Sequence, residues 1–327
     1  MNFTITNFRV LCVFFLFWNI VCLGQKPNKF NSEISFSSAN DAYVIWQNSD
    51  RFYSYGVGLN LKFKKDKLFG LQKYFLKKED YFFDIGLRIE GYTPTNKVIT
   101  PIEILSDNIS FDRPYAGLLF TTFNVTYAFN RSFFKGGTIL GIMGPSSLAG
   151  DFQGWFHNKE TDDPVFEEWK YQLPNQPVVN LNFTYAYDFI PEQKWIDIYG
   201  VLDARLGNLY IDSTPTLGLR FGKFNKLSQS VGTDTSLLSN SSNIELFFQS
   251  TISSSVSFFN GTAQGSLFQR NFEYAVDSLN MLHTVITLNT YFSANRFSFG
   301  IEHYFTFGQV LSNERHVYAR VIFKYKL

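Results

Sequence analysis

Val179-Asn180-Leu181-Asn182-Phe183-Thr184-Tyr185-Ala186-Tyr187-Asp188-Phe189 is the stretch that decides the fold. Its odd positions are apolar or aromatic and its even ones small or polar, the two-residue period of a strand whose faces meet different surroundings. A soluble sandwich also alternates, with its apolar face on a core. A transmembrane barrel reverses the arrangement, with apolar residues outward to lipid, polar ones inward to the lumen, and aromatics at the interfaces. Alternating segments of about ten residues fit the barrel.

Comparable segments recur at 31–39, 53–63, 81–92, 116–129, 137–143, 178–189, 195–205, 214–222, 244–259, 282–292, 296–306 and 316–327. That predicts an all-β fold: a transmembrane antiparallel up-and-down β-barrel of twelve strands, an even number, as both termini on one side require. The segment 244–259 can be read two ways, because Ser253-Ser254-Ser255 would also serve as a hairpin; one long strand keeps the parity. With the N-terminus periplasmic, the outward loops are 40–52, 93–115, 144–177, 206–213, 260–281 and 307–315. The inward turns are 64–80, 130–136, 190–194, 223–243 and 293–295. Two of these, the Lys-rich 64–80 and the Ser/Asn-rich 223–243, are long for that side, and Ser239-Asn240-Ser241-Ser242-Asn243 reads as solvated loop.

The 327 residues carry a formal charge of +1, so no basic surface for nucleic acid is expected. Aromatic residues make up 19% of the chain, yet no apolar run after the first two dozen residues is long enough for a spanning helix. The N-terminus reads as an export signal. Arg9 supplies positive charge, Val10 to Leu23 is largely apolar, and Cys22-Leu23-Gly24 precedes a cut before Gln25. The expected organisation is a signal peptide over 1–24 and one barrel domain over 25–327. Both cysteines, Cys12 and Cys22, fall in the leader, which leaves the exported chain no thiol for a disulfide, a metal site or a nucleophile.

Of the four histidines, His303 is in phase with Phe299, Ile301 and Phe305 and reads as a packing residue, while His283 and His316 sit at strand ends. His157 differs, because it closes the run Gly144-Pro145-Ser146-Ser147-Leu148-Ala149-Gly150-Asp151-Phe152-Gln153-Gly154-Trp155-Phe156 in the longest outward loop. Gly-Pro-Ser predicts a turn and an N-cap. A short helix from about 147 would then pack Leu148, Phe152 and Trp155 or Phe156 on the barrel wall and aim His157 at neighbouring loops. On this segment alone a solvated histidine is an equal reading. Asn40-Asp41 offers adjacent hard oxygens suited to calcium, although such a dipeptide more often forms a plain turn. Asp112-Arg113-Pro114 and Asp50-Arg51 read as structural, through ion pairs that would hold loops. No G-x-S-x-G elbow, H-E-x-x-H or P-loop is present.

Together, Asn40-Asp41, Asp50-Arg51-Phe52-Tyr53-Ser54-Tyr55-Gly56, Tyr92-Thr93-Pro94, Asp112 to Gly117, Leu140 to Ser146, Gln153 to His157 and Trp169 to Asn175 resemble the lipid A 3′-O-deacylase family of outer-membrane barrels. The resemblance spans nearly the whole exported chain. It implies a calcium-dependent esterase of the bacterial outer membrane that removes an ester-linked acyl chain, of the 3′-acyloxyacyl type, from lipid A. It implies His157 as the general base acting on water, Asn40 and Asp41 as residues that help hold Ca2+, Ser54 as a hydroxyl near the site, and Lys97 as an aid to the oxyanion. The acidic partner of the histidine falls on Asp163, with Asp162 and Glu160 as rivals because the loop length differs. The partners so implied are lipid A within lipopolysaccharide and the surrounding outer-membrane lipids. A monomer is expected, since a closed barrel needs no partner.

Two other functions fit the same barrel. An outer-membrane phospholipase shares the strand number and calcium, but its design resembles a Ser-His-Asn set with serine two residues after the histidine, and Lys159 stands there. A small channel or surface-binding barrel would keep the motifs as structure alone.

Overall fold

Twelve antiparallel strands close on themselves in chain order, the last pairing with the first. They are β1 (Ser32–Asn40), β2 (Phe52–Phe63), β3 (Tyr81–Thr93), β4 (Ala116–Ala128), β5 (Ser132–Met143), β6 (Gln176–Asp188), β7 (Ile196–Gly207), β8 (Tyr210–Lys223), β9 (Glu245–Asn260), β10 (Leu282–Ala294), β11 (Phe297–Phe307) and β12 (His316–Lys326). The computed structural model describes residues 30–44, 52–65, 81–95, 111–161, 166–239, 243–268, 272, 274–276, 280–309 and 315–327. The expected leader over 1–24 lies outside these residues, as does most of the turn at 64–80.

Alternation sets which face of each strand meets lipid. Val179, Leu181, Phe183 and Tyr185 are 42–54% exposed, whereas Asn180 between them is fully buried. The cross-strand neighbours on the outer surface of β1 and β2 are Ile34 with Leu61 and Phe36 with Leu59, all exposed. Their inward counterparts Ser35, Ser37, Gly58 and Asn60 line the lumen. Exposed apolar residues on one phase and buried polar ones on the other, on a sheet closed into a ring with no free edge, suit a barrel solvated by hydrocarbon.

Two element boundaries differ from the sequence reading. β5 begins at Ser132 and not near 137, because Gly136-Gly137 interrupts the side-chain pattern without interrupting the pairing. A Cβ on Gly137 would lie 2.0 Å from Asn124 Oδ1, so the glycine is needed where the two strands approach. The predicted loop 206–213 is instead a two-residue turn, Asn208-Leu209, since β7 and β8 continue past it. There Arg205 on β7 pairs with Asp212 on β8, so a polar residue assigned to the loop lies within a strand. The long strand over 244–259 is present as β9 in one piece.

The larger difference concerns the long inward turn at 223–243. Over 227–238 it folds back as three one-turn 3-10 helices, Leu227–Gln229, Val231–Thr233 and Ser236–Leu238, which plug the mouth of the barrel on the side of the chain ends; of the Ser/Asn run, Asn243 is exposed and 240–242 lie outside the described residues. Leu227 packs on Phe133 and Tyr199, Val231 on Phe247 and Tyr291, and Leu237 on Phe30 and Phe82, so the plug touches strands around the ring. Ser239, at the start of the Ser/Asn run, is buried. Polar residues fasten it. Glu245 accepts from Asn225 N (2.9 Å), Ser230 Oγ (2.7 Å) and Val231 N (2.9 Å). Glu33 accepts from Lys62 Nζ at 3.0 Å and from Ser236 Oγ at 2.7 Å. Asp234, in a left-handed turn (φ 63°), is met by Lys62 at 2.5 Å, Lys324 at 2.6 Å and Lys135 at 3.9 Å. Burial alone would push the Asp234 carboxyl up; Lys324, Lys62 and Lys135 outweigh it and hold it well below the usual carboxylate range. Above this floor lies a polar chamber of about 630 Å³, lined by Asn60, Asp84, Lys135, Asp203, Glu302 and Asp234 among others.

Candidate functional site

At the opposite end of the barrel lie the described residues singled out in the sequence, Asn40, Asp41, Ser54 and His157. Asn40 ends β1 in the same phase as Ile34 and Phe36, opposite Tyr55 on β2 and Ala319 on β12. Its side-chain oxygen accepts from Ala42 N at 2.6 Å and caps a single 3-10 turn, Asp41–Tyr43. Such a cap is the ordinary use of Asn at a helix start. Asp41 is only 3% exposed, a buried carboxylate at the rim. The turn is pinned from below by Val44, which packs on Val317 and Ala319 of β12.

β2 enters the sheet through an irregular start. Phe52 has φ 61°, uncommon for an aromatic residue, and its ring meets His316 edge-on at 5.7 Å. The pairing with β3 then slips between Tyr53 and Tyr55, so Ser54 is the extra residue of a bulge. Tyr53 and Tyr55 would share a face in a regular strand; the bulge sends them to opposite ones. Tyr53 turns inward, where its hydroxyl accepts from Arg88 at 2.8 Å. Tyr55 turns outward over Gly91. Ser54 Oγ is buried and lies 2.5 Å from Thr93 Oγ1.

The third component is the loop after β5. Gly144 (φ 100°) turns the chain where a side chain would strike Asn175 N, and Pro145–Ser147 form a 3-10 turn. The helix α1 follows over Ala149–Phe156. No side chain caps it at Leu148, and Ser147 Oγ makes only a 3.4 Å contact with Ala149 N. The expected packing face is corrected here: Leu148 and Trp155 are exposed, and the buried face is Ala149 and Gln153, with Phe152 half-buried beside them. Small residues let it sit close, for a Cβ on Gly117 would meet Ser147 Oγ at 2.4 Å and Ala149 Cβ at 2.7 Å. Tyr55 and Trp169 flank this face.

His157 stands at the C-terminal end of α1, where the helix widens into a π-turn over His157–Thr161. Such single-turn π segments recur at functional sites. Its ring meets Phe166 edge-on at 5.5 Å. Asn40, Asp41, Ser54 and His157 therefore belong to one rim, with Tyr55 as the cross-strand neighbour of Asn40 and a direct contact of α1. Lys97, Asp163 and the rival Asp162 lie outside the described residues, as do Asp50 and Arg51, and of Glu160 only the backbone is described.

The Asp112-Arg113-Pro114 stretch holds neighbouring segments together, among the described residues through hydrogen bonds and a ring contact. Asp112 Oδ1 accepts from Thr95 N at 3.0 Å; Arg113 donates to Thr262 Oγ1 at 2.5 Å and lies 4.3 Å over the Tyr92 ring. Tyr115, fully buried, packs on Trp169 at 5.3 Å. Tyr55, Gln153 and Trp169 were visible in the motifs but carried no role there; only the folded contacts assign them one.

The donors at Asn40 and Asp41 are hard oxygens, the kind a calcium ion takes, and Asp41 is a buried carboxylate. Among the described residues no three His, Cys, Asp or Glu side chains group together to hold a metal. Further ligands would have to be carbonyl or amide oxygens, which calcium accepts.

A family model described as outer membrane protein LpxR matches residues 10–327. The solved structure of LpxR from Salmonella typhimurium superposes with a TM-score of 0.70 at 16% identity, covering 90% of this chain and 100% of that one. The β domain of the Bordetella autotransporter BrkA reaches a TM-score of 0.42 at 8% identity, over 91% of this chain and 99% of that one. A comparison with curated protein sequences finds no match.

Proposed function

The chain belongs to the LpxR family of outer-membrane proteins, and on that premise we propose that it is a calcium-dependent lipid A deacylase that hydrolyses a 3′-acyloxyacyl ester with His157 as base. The observation that carries the reading is the phase of the site. Asn40 and Tyr55 share the outward face with Ile34, Phe36, Leu59 and Leu61, so the site opens beside the surface that contacts lipid. A lipid substrate reaches such a place by moving sideways in its own leaflet.

In this reading His157 takes a proton from a water aimed at the ester carbonyl, the work of an imidazole near neutral pH. Asp163 would orient the imidazole, and Lys97 would meet the developing oxyanion. Asn40 and Asp41 would hold calcium, which when bound polarises the carbonyl and offsets its charge. Ser54 is committed to Thr93 in a buried hydroxyl pair, so it supports the wall and does not attack. A water nucleophile is consistent with the missing serine elbow.

The competing readings have less support. A phospholipase of the Ser-His-Asn design needs serine where Lys159 stands. A channel needs a path, and the plug at 225–239 fills the periplasmic mouth. The test is fatty-acid release from lipid A by the purified protein in detergent, with calcium and with a chelator. His157→Ala and Asp41→Ala should each lower the rate by about 100-fold or more while heat-modifiable migration is retained. Wild-type activity in either variant, or indifference to the chelator, defeats the scheme.

A further inference from the structure

We propose that Tyr55 is the positioning residue that joins the two halves of the site, fixing α1 and with it His157 relative to Asn40-Asp41. The proposal rests on reading His157 as the base. Three contacts of one residue carry it. The Tyr55 hydroxyl donates to the carbonyl of Ala149, 94 positions away, at 2.5 Å. The ring packs on Phe152 with centroids 5.5 Å apart. The backbone of Tyr55 is the cross-strand partner of Asn40. A shift of α1 along the wall must therefore be registered at the residue beside the proposed cation ligands.

The need for such a strut follows from the helix itself. α1 has eight residues, and even with the five-residue π-turn that continues it the segment only reaches the roughly 12–15 at which an isolated helix is marginal in water. It includes two glycines, Gly150 and Gly154, which lower its propensity further. Its position is consequently set by what it rests on. Tyrosine suits the task because a rigid ring with a polar tip orders few rotamers for the area it offers. The wall is shaped to receive the ring, since a Cβ on Gly91 would lie 2.2 Å from Tyr55 Cε1. The bulge at Ser54 supplies the last condition, for without it Tyr55 would follow Tyr53 into the lumen.

Tyr55→Phe in the full chain keeps the ring and removes only the hydroxyl, and Gly91→Ala keeps the hydroxyl and displaces the ring. Each should lower kcat for lipid A about tenfold, the effect of roughly one hydrogen bond. KM, the calcium concentration for half-activity and the shape of the pH profile should stay as in the wild type. Amide exchange over 149–156 should quicken while that of β2 and β3 does not. An unchanged kcat with unchanged exchange in Tyr55→Phe overturns the proposal, as does a loss of kcat, KM and calcium response together. If His157→Ala keeps full activity, the reading beneath falls and the proposal with it; if His157→Ala is inactive and Tyr55→Phe is wild type, the proposal alone falls.

Discussion

The indole N–H of Trp169 donates to Gln153 Oε1 across 2.7 Å, with both side chains buried. This bond clasps α1 to the 3-10 turn Glu167–Tyr171, within the cluster that Trp169 shares with Tyr55 and Tyr115. Gly150 lies beneath the same indole, its missing Cβ leaving room for the ring at 2.9 Å.

Gln153→Ala leaves that indole donor buried and unpartnered, at a cost of about 1–3 kcal/mol. The cost is local, so the barrel should keep its heat-modifiable migration while the 144–175 loop becomes open to protease. Deacylation should be lost at a lower temperature than in the wild type. A wild-type cleavage pattern would show that the clasp is not what holds the loop.

Ser54→Ala removes one member of a buried hydroxyl pair and leaves Thr93 Oγ1 without it. Activity should fall about tenfold or less, the worth of one neutral hydrogen bond. Complete loss, or a covalent acyl adduct trapped on Ser54 in the wild type, would make the serine a nucleophile and displace water from the scheme.

The plug predicts electrical behaviour. Wild-type protein in planar bilayers should carry no steady current, because the floor is packed from several sides. Glu245→Ala withdraws the acceptor of three plug donors at once. That variant should show open steps, and one as closed as the wild type would mean that the apolar packing suffices.

The same floor should respond to acid in one direction. Lysines depress the Asp234 carboxyl below its usual range against the opposing effect of burial. A depressed carboxylate contributes stability that is fully present above its unfolded value, about 3.9, and is lost as pH falls through the folded value. Wild-type barrels should therefore stay closed from pH 7 down to that point and leak only below it. Asp234→Asn should leak already at pH 7. Leakage of the wild type at pH 5 would contradict the latch.

How much of this was legible beforehand differs by region. Strands such as β6 declare themselves through Val179, Leu181, Phe183 and Tyr185, because lipid and lumen impose opposite demands on alternate residues. β5 was cut short at Gly136-Gly137, since a strand can pair through residues with no side chain to report their face. The plug is not legible because Ser228, Ser230, Ser236 and Ser239 have the look of a solvated loop, whereas all four are buried, Ser236 donating to Glu33 and Ser230 to Glu245. At the rim, the residue types at Asn40, Asp41 and His157 were visible. The packing face of α1 was not, for eight residues containing two glycines carry almost no periodic signal.

The seam between β1 and β12 ties the rim to the order of synthesis. Asn40 is paired with Ala319, and Val44, next to the Asp41 turn, rests on Val317 and Ala319. The earliest-made portion of the proposed centre thus acquires its mould only from the last-made strand. On the proposed mechanism, a polypeptide caught midway through insertion would have no finished cation nest, and membrane lipids would be spared until the cylinder has zipped shut.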